Sequence, residues 1–401
     1  DLIAIVGSPQ PGINAYGYKI NMAVRPRPIG STIKPFIYLK GFEKNLRPYT
    51  IVEDKEYKYE IGTGFAFYPK NYDYEYRGPV SLHYALSNSL NVPSVKVLEY
   101  AGLKNFYSFL ENDLKFRPIQ DLNNYQLGIA LGELEMDLLT LSYYFTIFPN
   151  EGILKPLQMQ LPTSASDPRY NPRQIRGNSL LSKFSDTAIT QISKSPYIRL
   201  INKILSDRIT GIEQFGETSD LNLFAKNYAV KTGTSREYHD SWVIGYTPDF
   251  LIGVWIGNSD DTPMDAVSGQ GGAGRVWHEA MDLLLNSSYN KNTPFNFDYL
   301  AEFTTDDGID YGFKNDDYEK FKNLLKDDSL ILNPHNGDTF LFEPGMEILL
   351  TAREETEWFI NDSSFGTGDE IIFSPAAAGN YTIKAKLKNA EEIIKIFVEK
   401  E

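Results

Sequence analysis

The feature that most constrains the fold is a change of hydrophobic period at Asn227. Helical spacing dominates between residues 80 and 210, whereas Asn227 to Thr234, Ser241 to Tyr246 and Phe250 to Gly257 are strand-length runs rich in β-branched and aromatic residues. Thr247-Pro-Asp249 is a turn signal between the last two, and Val276 to Leu285 returns to helical spacing. Strands, then helices, then strands and a last helix predict an α+β fold: a mostly antiparallel sheet with a helical subdomain.

Punctuation residues sharpen this reading. Ser81 is placed to cap a helix over Leu82 to Asn88, and Pro93 to open one that runs through Tyr100 and stops at Gly102. Glu135 to Phe148 predicts another helix, ended by Pro149 and Gly152. At the start, Leu2 to Val6 and Tyr16 to Val24 read as a hairpin. The aromatic-rich stretch Tyr57 to Tyr76 reads as a packed loop or hairpin rather than an exposed binding surface. Residues 291–328 are polar, acidic and weakly periodic, as expected of a linker with one or two short helices. From Ser329 the chain becomes a series of short strands with turns at Asn361-Asp362, Gly366 and Gly379, which suits a small Ig-like β-sandwich with Trp358 in its core. The expected organisation is a catalytic domain over 1–290, a linker over 291–328 and a β-sandwich over 329–401.

Charge and composition remove several functions. With a net charge of −14 and a pI of about 4.9, and no dense basic run, the chain lacks what nucleic acid or anionic lipid would require. No cysteine is present, so disulfides, thiolate metal sites and cysteine nucleophiles are excluded. The four histidines (His83, His239, His278, His335) are scattered and lack HExxH spacing, so neither a metal nor another cofactor is expected. The longest apolar run, Phe250 to Ile256, is strand-sized, short of a membrane helix. The chain starts at Asp1 without Met or signal peptide and is read as a fragment whose targeting segment lies upstream.

Three short motifs carry the chemistry. In Gly30-Ser31-Thr32-Ile33-Lys34 the amphipathic run Phe36 to Leu39 follows, so Ser31 is expected to open a helix. Residues three apart then share a face and Lys34 reaches the Ser31 hydroxyl. Lysine can deprotonate serine only if burial or a neighbouring cation lowers its pKa. A Ser-x-x-Lys match arises about once by chance in such a chain, and Ser288-Tyr-Asn-Lys291 is read as that decoy, in a loop. Ser89-Leu90-Asn91 lies between two predicted helices, where Ser and Asn are also ordinary caps. Lys231-Thr232-Gly233-Thr234 lies on a predicted strand. There a lysine and hydroxyls can hold a carboxylate, Gly233 lets a ligand lie along the strand edge, and the Thr234 N–H can face an oxyanion. A Ser-His-Asp alternative through His239 and Asp240 is disfavoured, because adjacent residues point apart and no G-x-S-x-G elbow exists.

This ordered trio occurs in penicillin-binding proteins and class A β-lactamases. The text around it (Gly30 to Phe36, Asn71-Tyr-Asp73, Ala85 to Val95, Ala130-Leu-Gly132, Val230 to Ser235, Asp240 to Pro248) resembles a penicillin-binding transpeptidase domain over about residues 2–285. The resemblance is to the bifunctional class A group, with a tail similar to the C-terminal domain of the penicillin-binding protein 1C type. It implies an extracytoplasmic, membrane-anchored D,D-transpeptidase acting on peptidoglycan stem peptides and acylated by β-lactams. The glycosyltransferase domain and anchor would lie before Asp1; the C-terminal domain could bind cell-wall synthesis proteins, bind wall glycan or shield the catalytic domain. It further implies that Ser31 is the nucleophile, Lys34 its base, and Ser89 a proton relay near Lys231. Asn91 would bind the substrate amide, Lys231, Thr232 and Thr234 the terminal carboxylate, and the N–H groups of Ser31 and Thr234 the oxyanion. Two departures stand out: Ile29, not Pro28, directly precedes Gly30, and Ile119 occupies the place of a deacylating glutamate, which argues against efficient β-lactam hydrolysis. A D,D-carboxypeptidase and a β-lactam sensor or scaffold without turnover are the rival readings.

Overall fold

The computed structural model describes residues 1–15, 17–61, 65–158, 184, 188–264, 270–326 and 329–399. They fall into two compact units, one of Asp1–Lys55 with Lys70–Leu325, the other of Glu56–Pro69 with Lys326–Glu401.

In the first unit, α1 (Lys34–Glu43) is the central helix. Phe36, Ile37, Tyr38, Leu39 and Phe42 are all almost wholly buried, so the helix is enclosed on every side rather than resting one face on a sheet. Around it lie β1 (Ile51–Asp54) paired with β2 (Gly78–Ser81), then α2 (Leu82–Ser87), α3 (Asn91–Ala101), α4 (Leu138–Phe145) and α5 (Ser195–Ser206). The predicted caps hold: Ser81 Oγ accepts from the Tyr84 N–H at 3.1 Å, and Gly102 ends α3 at φ 87. The helix expected from Glu135 begins later, because Asp137 caps it through the Thr140 N–H at 2.8 Å.

The strands after the period change form the expected antiparallel meander of β3 (Ala229–Thr234), β4 (Asp240–Tyr246) and β5 (Leu251–Gly257), with β4 central. Thr247 Oγ1 accepts from the N–H groups of Asp249 and Phe250, which closes the predicted turn. Helix α6 (Ala273–Leu285) covers the sheet, with Trp277 and Met281 packed on Tyr228, Val230 and Val243.

Two expectations are corrected. Leu2 to Val6 forms no strand: Leu2 bonds the Gln158 carbonyl instead, Met22–Val24 is a 3-10 turn, and Ile5 and Val6 are exposed. A β-branched run predicts a strand only if it is buried, and Ile3, Ile5 and Val6 are exposed; Tyr16 lies outside the described residues. The segment expected to be a linker contains the hairpin β6 (Leu300–Thr305) and β7 (Gly308–Phe313) and the short helix Tyr318–Lys322. Up to Leu325 it belongs to the first unit, with residues 327–328 outside the described set. Its acidic residues are largely why it reads as solvated, yet Asp316 forms a bidentate, buried ion pair with Arg47 (2.5 and 2.8 Å), and Asp310 lies 3.0 Å from the buried His83.

In the second unit, β8 (Ile331–Asn333), β9 (Thr339–Leu341), β10 (Ile348–Ile360), β11 (Ser363–Phe373), β12 (Gly379–Lys386) and β13 (Glu391–Glu399) are joined in one hydrogen-bonded set. Two strands expected separately merge into β10, which bends at a bulge between Thr351 and Thr356. Before the bulge β10 pairs with β8, and after it with β12, so the sheet curls over its core. Trp358 is fully buried there, as expected, among Ile348, Leu350, Ile383 and Ile396. The Tyr57 to Tyr76 stretch divides: Tyr59–Ile61 pairs with Phe65–Phe67 in a short hairpin, while Tyr72 and Tyr74 expose their rings; residues 62–64 lie outside the described set.

Candidate active site

The site begins with a proline. An α-helical turn would require the N–H of residue 35 to bond the Ser31 carbonyl, and Pro35 has none. That carbonyl accepts from Lys34 instead, so Gly30–Ile33 is a 3-10 turn running into α1. Ser31 therefore sits one residue turn ahead of the helix it was expected to open. In 3-10 geometry, residues three apart eclipse, which keeps Ser31 and Lys34 on one face. Ser31 is partly exposed and Lys34 fully buried.

The approach to Ser31 is pinned from both sides. The Ile29 and Gly30 N–H groups bond Leu134 O and Gly132 O at 3.0 Å each, and Trp242 Nε1 donates to Pro28 O at 2.9 Å. Ile29, the residue directly before Gly30, is fully buried. Gly30 has φ +54, and a Cβ there would meet the Thr234 backbone at 2.6–2.8 Å. A Cβ on Gly233 would meet Ile29 O at 2.5 Å and Thr32 Cγ2 at 2.9 Å. Gly233 therefore has a structural reason beside the one expected from a ligand: the serine-bearing turn lies against the end of β3 and leaves no room for a Cβ.

The second motif joins the first through Lys34. Its Nζ donates to Ser89 O (2.6 Å), Leu90 O (3.0 Å) and Asn91 Oδ1 (2.7 Å). Those three acceptors satisfy an ammonium completely. The Ser89 N–H bonds Leu86 O and the Leu90 N–H bonds Ala85 O, the paired bonds of a Schellman ending to α2. Its left-handed position usually belongs to glycine, but here Ser89 takes it, at φ 57. Asn91 is committed at both ends of its amide, accepting from Lys34 and donating to Lys70 O at 2.8 Å.

The third motif arrives on β3. Lys231 Nζ donates to Ser89 Oγ at 2.7 Å and to Thr232 O at 2.9 Å. Lys34, Ser89, Asn91 and Lys231 thus form one connected cluster, with Ser31 a turn from Lys34 and Gly233 against the turn that carries Ser31. Burial, and then the positive charge of Lys231, hold Lys34 well below the usual lysine range, while Asp54 acts in the opposite direction. Burial, and then Arg208, lower Lys231 to about 7.

The rival pair is absent. Asp240 bonds Ser235 Oγ and Trp255 Nε1 at 2.8 Å each, and His239 Nδ1 meets the Asp261 carbonyl. The decoy Ser288 lies in a turn after α6. Sequence reasoning missed Asp54 and Arg208, and met Asn71 only within the text of the resemblance, without a role; all three act on the site from positions that no local spacing connects to it. Among the described residues, no group of three or more His, Cys, Asp or Glu side chains could hold a metal ion.

Residues 2–272 match the penicillin-binding protein transpeptidase domain family. The chain belongs to this family. It is 26% identical to penicillin-binding protein 1A of Rickettsia bellii, over 79% of this chain and 41% of the relative. It is 29% identical to penicillin-binding protein 1C of Escherichia coli, over 68% of this chain and 31% of the relative. The chain therefore spans well under half of the length of these curated relatives. Its fold resembles the crystal structure of penicillin-binding protein 1A from Haemophilus influenzae, with a TM-score of 0.59 at 19% identity, covering 74% of this chain and 49% of that one.

Proposed function

We propose that the chain is a serine D,D-transpeptidase that cross-links peptidoglycan stem peptides through an acyl-enzyme on Ser31 and is covalently inhibited by β-lactams. The observation that carries this reading is the cluster in which Lys231 donates to Ser89 Oγ and Lys34, one 3-10 step from Ser31, donates to Ser89 O.

Ser31 Oγ attacks the carbonyl of the penultimate D-alanine, and its proton passes to Lys34. A neutral amine has two N–H groups, so Lys34 gives up one of its three acceptors and its lone pair turns to Ser31. Burial and the charge of Lys231 move Lys34 in the direction that a base working at neutral pH requires. As the tetrahedral intermediate collapses, the C–N bond breaks. The leaving D-alanine amine takes a proton through Ser89, which Lys231 holds in place. An amine of a second stem peptide then attacks the ester, loses its proton and releases Ser31. Thr232, Thr234 and Lys231 hold the donor's terminal carboxylate, and the N–H groups of Ser31 and Thr234 receive the oxyanion. Asn91, already bonded to Lys34 and Lys70 O, has one amide hydrogen left for the substrate amide.

Penicillin-binding protein A of Mycobacterium tuberculosis, whose fold this chain shares at a TM-score of 0.50, has been captured as a ceftriaxone acyl-enzyme. The same acylation is expected here at Ser31. The substrate places the chain's action outside the cytoplasm; among the described residues no helix is long and apolar enough to cross a membrane. Incubation with a peptide ending in D-Ala-D-Ala, with and without an added amine, tests the reaction. A transpeptidase releases D-alanine and forms amide product with the amine; release with hydrolysis alone would replace this reading by a carboxypeptidase.

A further inference from the structure

Helix α3 carries Asn91 at its first position but has no capping side chain of its own, since Leu90 precedes it. The cap comes from 20 residues upstream: Asn71 Oδ1 accepts from the Asn91 N–H at 2.9 Å and the Val92 N–H at 3.3 Å. Asn71 Nδ2 faces the other way, donating to Asp54 Oδ1 (2.9 Å), Asp54 Oδ2 (2.8 Å) and Glu75 O (2.8 Å). Asp54 is fully buried at the end of β1 and also accepts from the Arg77 N–H at 3.0 Å. Because the carboxylate can only accept, it fixes which end of the Asn71 amide points at α3. The turn capped in this way, residues 89–91, supplies all three of the acceptors that Lys34 uses.

We propose that Asp54 and Asn71 are positioning residues for the acylation step: Asn71, oriented by Asp54, holds the 89–91 turn, and with it the three acceptors of Lys34, in place. This rests on Ser31 being the nucleophile and Lys34 its base. Neither residue touches the substrate. The charged groups facing Lys34 are Lys231 from β3 and Asp54 from β1, and those facing Asp54 are Arg77 and Asp73, with the Tyr38 hydroxyl of α1 beside it. The Asp54 carboxylate favours the ammonium form of Lys34, so its removal changes the base as well as the packing.

The test is the rate of acylation by a fluorescent penicillin from pH 5.5 to 10, for the wild-type chain, Asp54→Asn and Asn71→Ser, with a thermal melt of each. In the wild type the rate rises with pH as Lys34 loses its proton. Asp54→Asn takes away the anion that favours the ammonium, so the rising limb moves to lower pH, by about one unit. The plateau then falls, because the base is weaker. Asn71→Ser shortens the cap and lowers the plateau about tenfold, leaving the limb nearer its wild-type position. A profile for Asp54→Asn that keeps the wild-type limb and plateau overturns the proposal, as does a loss of melting temperature with no change in the profile. Should Asp54→Asn fail to fold, Asn71→Ser decides: a folded variant acylated at the wild-type rate overturns the proposal. A wild-type chain that takes up no penicillin would instead remove the reading on which it rests.

Discussion

Trp242 in the first unit and Trp358 in the second are both fully buried, and each indole N–H reaches a backbone carbonyl at 2.9 Å, Pro28 O and Gly368 O respectively. Their surroundings differ. Trp358 sits in an apolar cluster, and the one buried acid among the described residues of its unit, Asp338, is paired with Lys58 at 2.6 Å, whereas the unit around Trp242 buries Lys34, Lys231, Asp54, Arg47, Asp240 and Asp310. Trp242 holds the segment that leads to Ser31; Trp358 ties one strand of its own sheet to another. Burying a charge costs several kcal/mol unless it is paired and fully hydrogen-bonded. The first unit accepts that cost at two lysines whose pKa burial lowers, Lys34 and Lys231, whereas the second buries its acid Asp338 only beside a cation, Lys58. The contrast separates a core arranged for chemistry from one arranged for stability.

The largest test of this contrast exchanges the central charge for an apolar side chain of similar length. Lys34→Met should lower the rate of acylation by penicillin roughly 10⁴-fold while the melting temperature stays level or rises, because a desolvated ammonium is replaced by a thioether. Stopped-flow acylation and calorimetry on the same sample measure both; a melting temperature lower by many degrees would show that Lys34 supports the fold.

In the second unit the same logic runs in reverse. Trp358→Ala removes the centre of an apolar core and should destabilise that unit by about 4 kcal/mol. Its effect on acylation should stay within about twofold. Denaturant unfolding followed by penicillin labelling separates the two quantities, and a proportionate loss of labelling would break the comparison.

A third test uses His83, between Asp207 (3.2 Å) and Asp310 (3.0 Å). Burial opposes its charge, but the two carboxylates outweigh burial and raise its pKa from 6.5 to about 9. The folded state therefore binds this proton more tightly than the unfolded one. The resulting stability, on the order of 3 kcal/mol, is fully present below about pH 6.5 and is lost as the pH rises through 9. Melts at pH 6 and pH 9.5 should show a gap that His83→Gln narrows; an equal gap in the variant would mean that other groups set the pH dependence.

The smallest effect concerns Ser89. It occupies a left-handed position at φ 57, which costs a non-glycine residue about 1 kcal/mol. Ser89→Gly should raise stability by about that amount and slow release of D-alanine from a donor peptide. A variant that is both less stable and fully active would contradict the view that this backbone position is held for its hydroxyl.

What was legible in the sequence follows from range. The meander after Asn227, the turn at Thr247, the caps at Ser81 and Gly102 and the three motifs are local patterns, and the structure has each near its expected place. Trp358 could be assigned to a core because a large aromatic in a short-strand region belongs more often to a sandwich core than to a surface, and its strand does bury it. Asp54 gave no such signal: an acidic residue at the end of a four-residue strand looks solvated until Asn71 is folded onto it. Asp310 and Asp316 misled in the same way, since acidity suggested a linker and both face partners inside the unit. The Gly233 requirement was visible as a glycine, but its structural cause, the backbone of Ile29, lies two hundred residues away.

The most direct test of the central claim is the intact mass of the chain after incubation with a fluorescent penicillin, beside Ser31→Ala. The expected result is one adduct per wild-type chain, persisting for many minutes, and none on Ser31→Ala. Labelling of Ser31→Ala to the wild-type extent, or a wild-type chain that stays unlabelled, would contradict the assignment of Ser31 as the nucleophile.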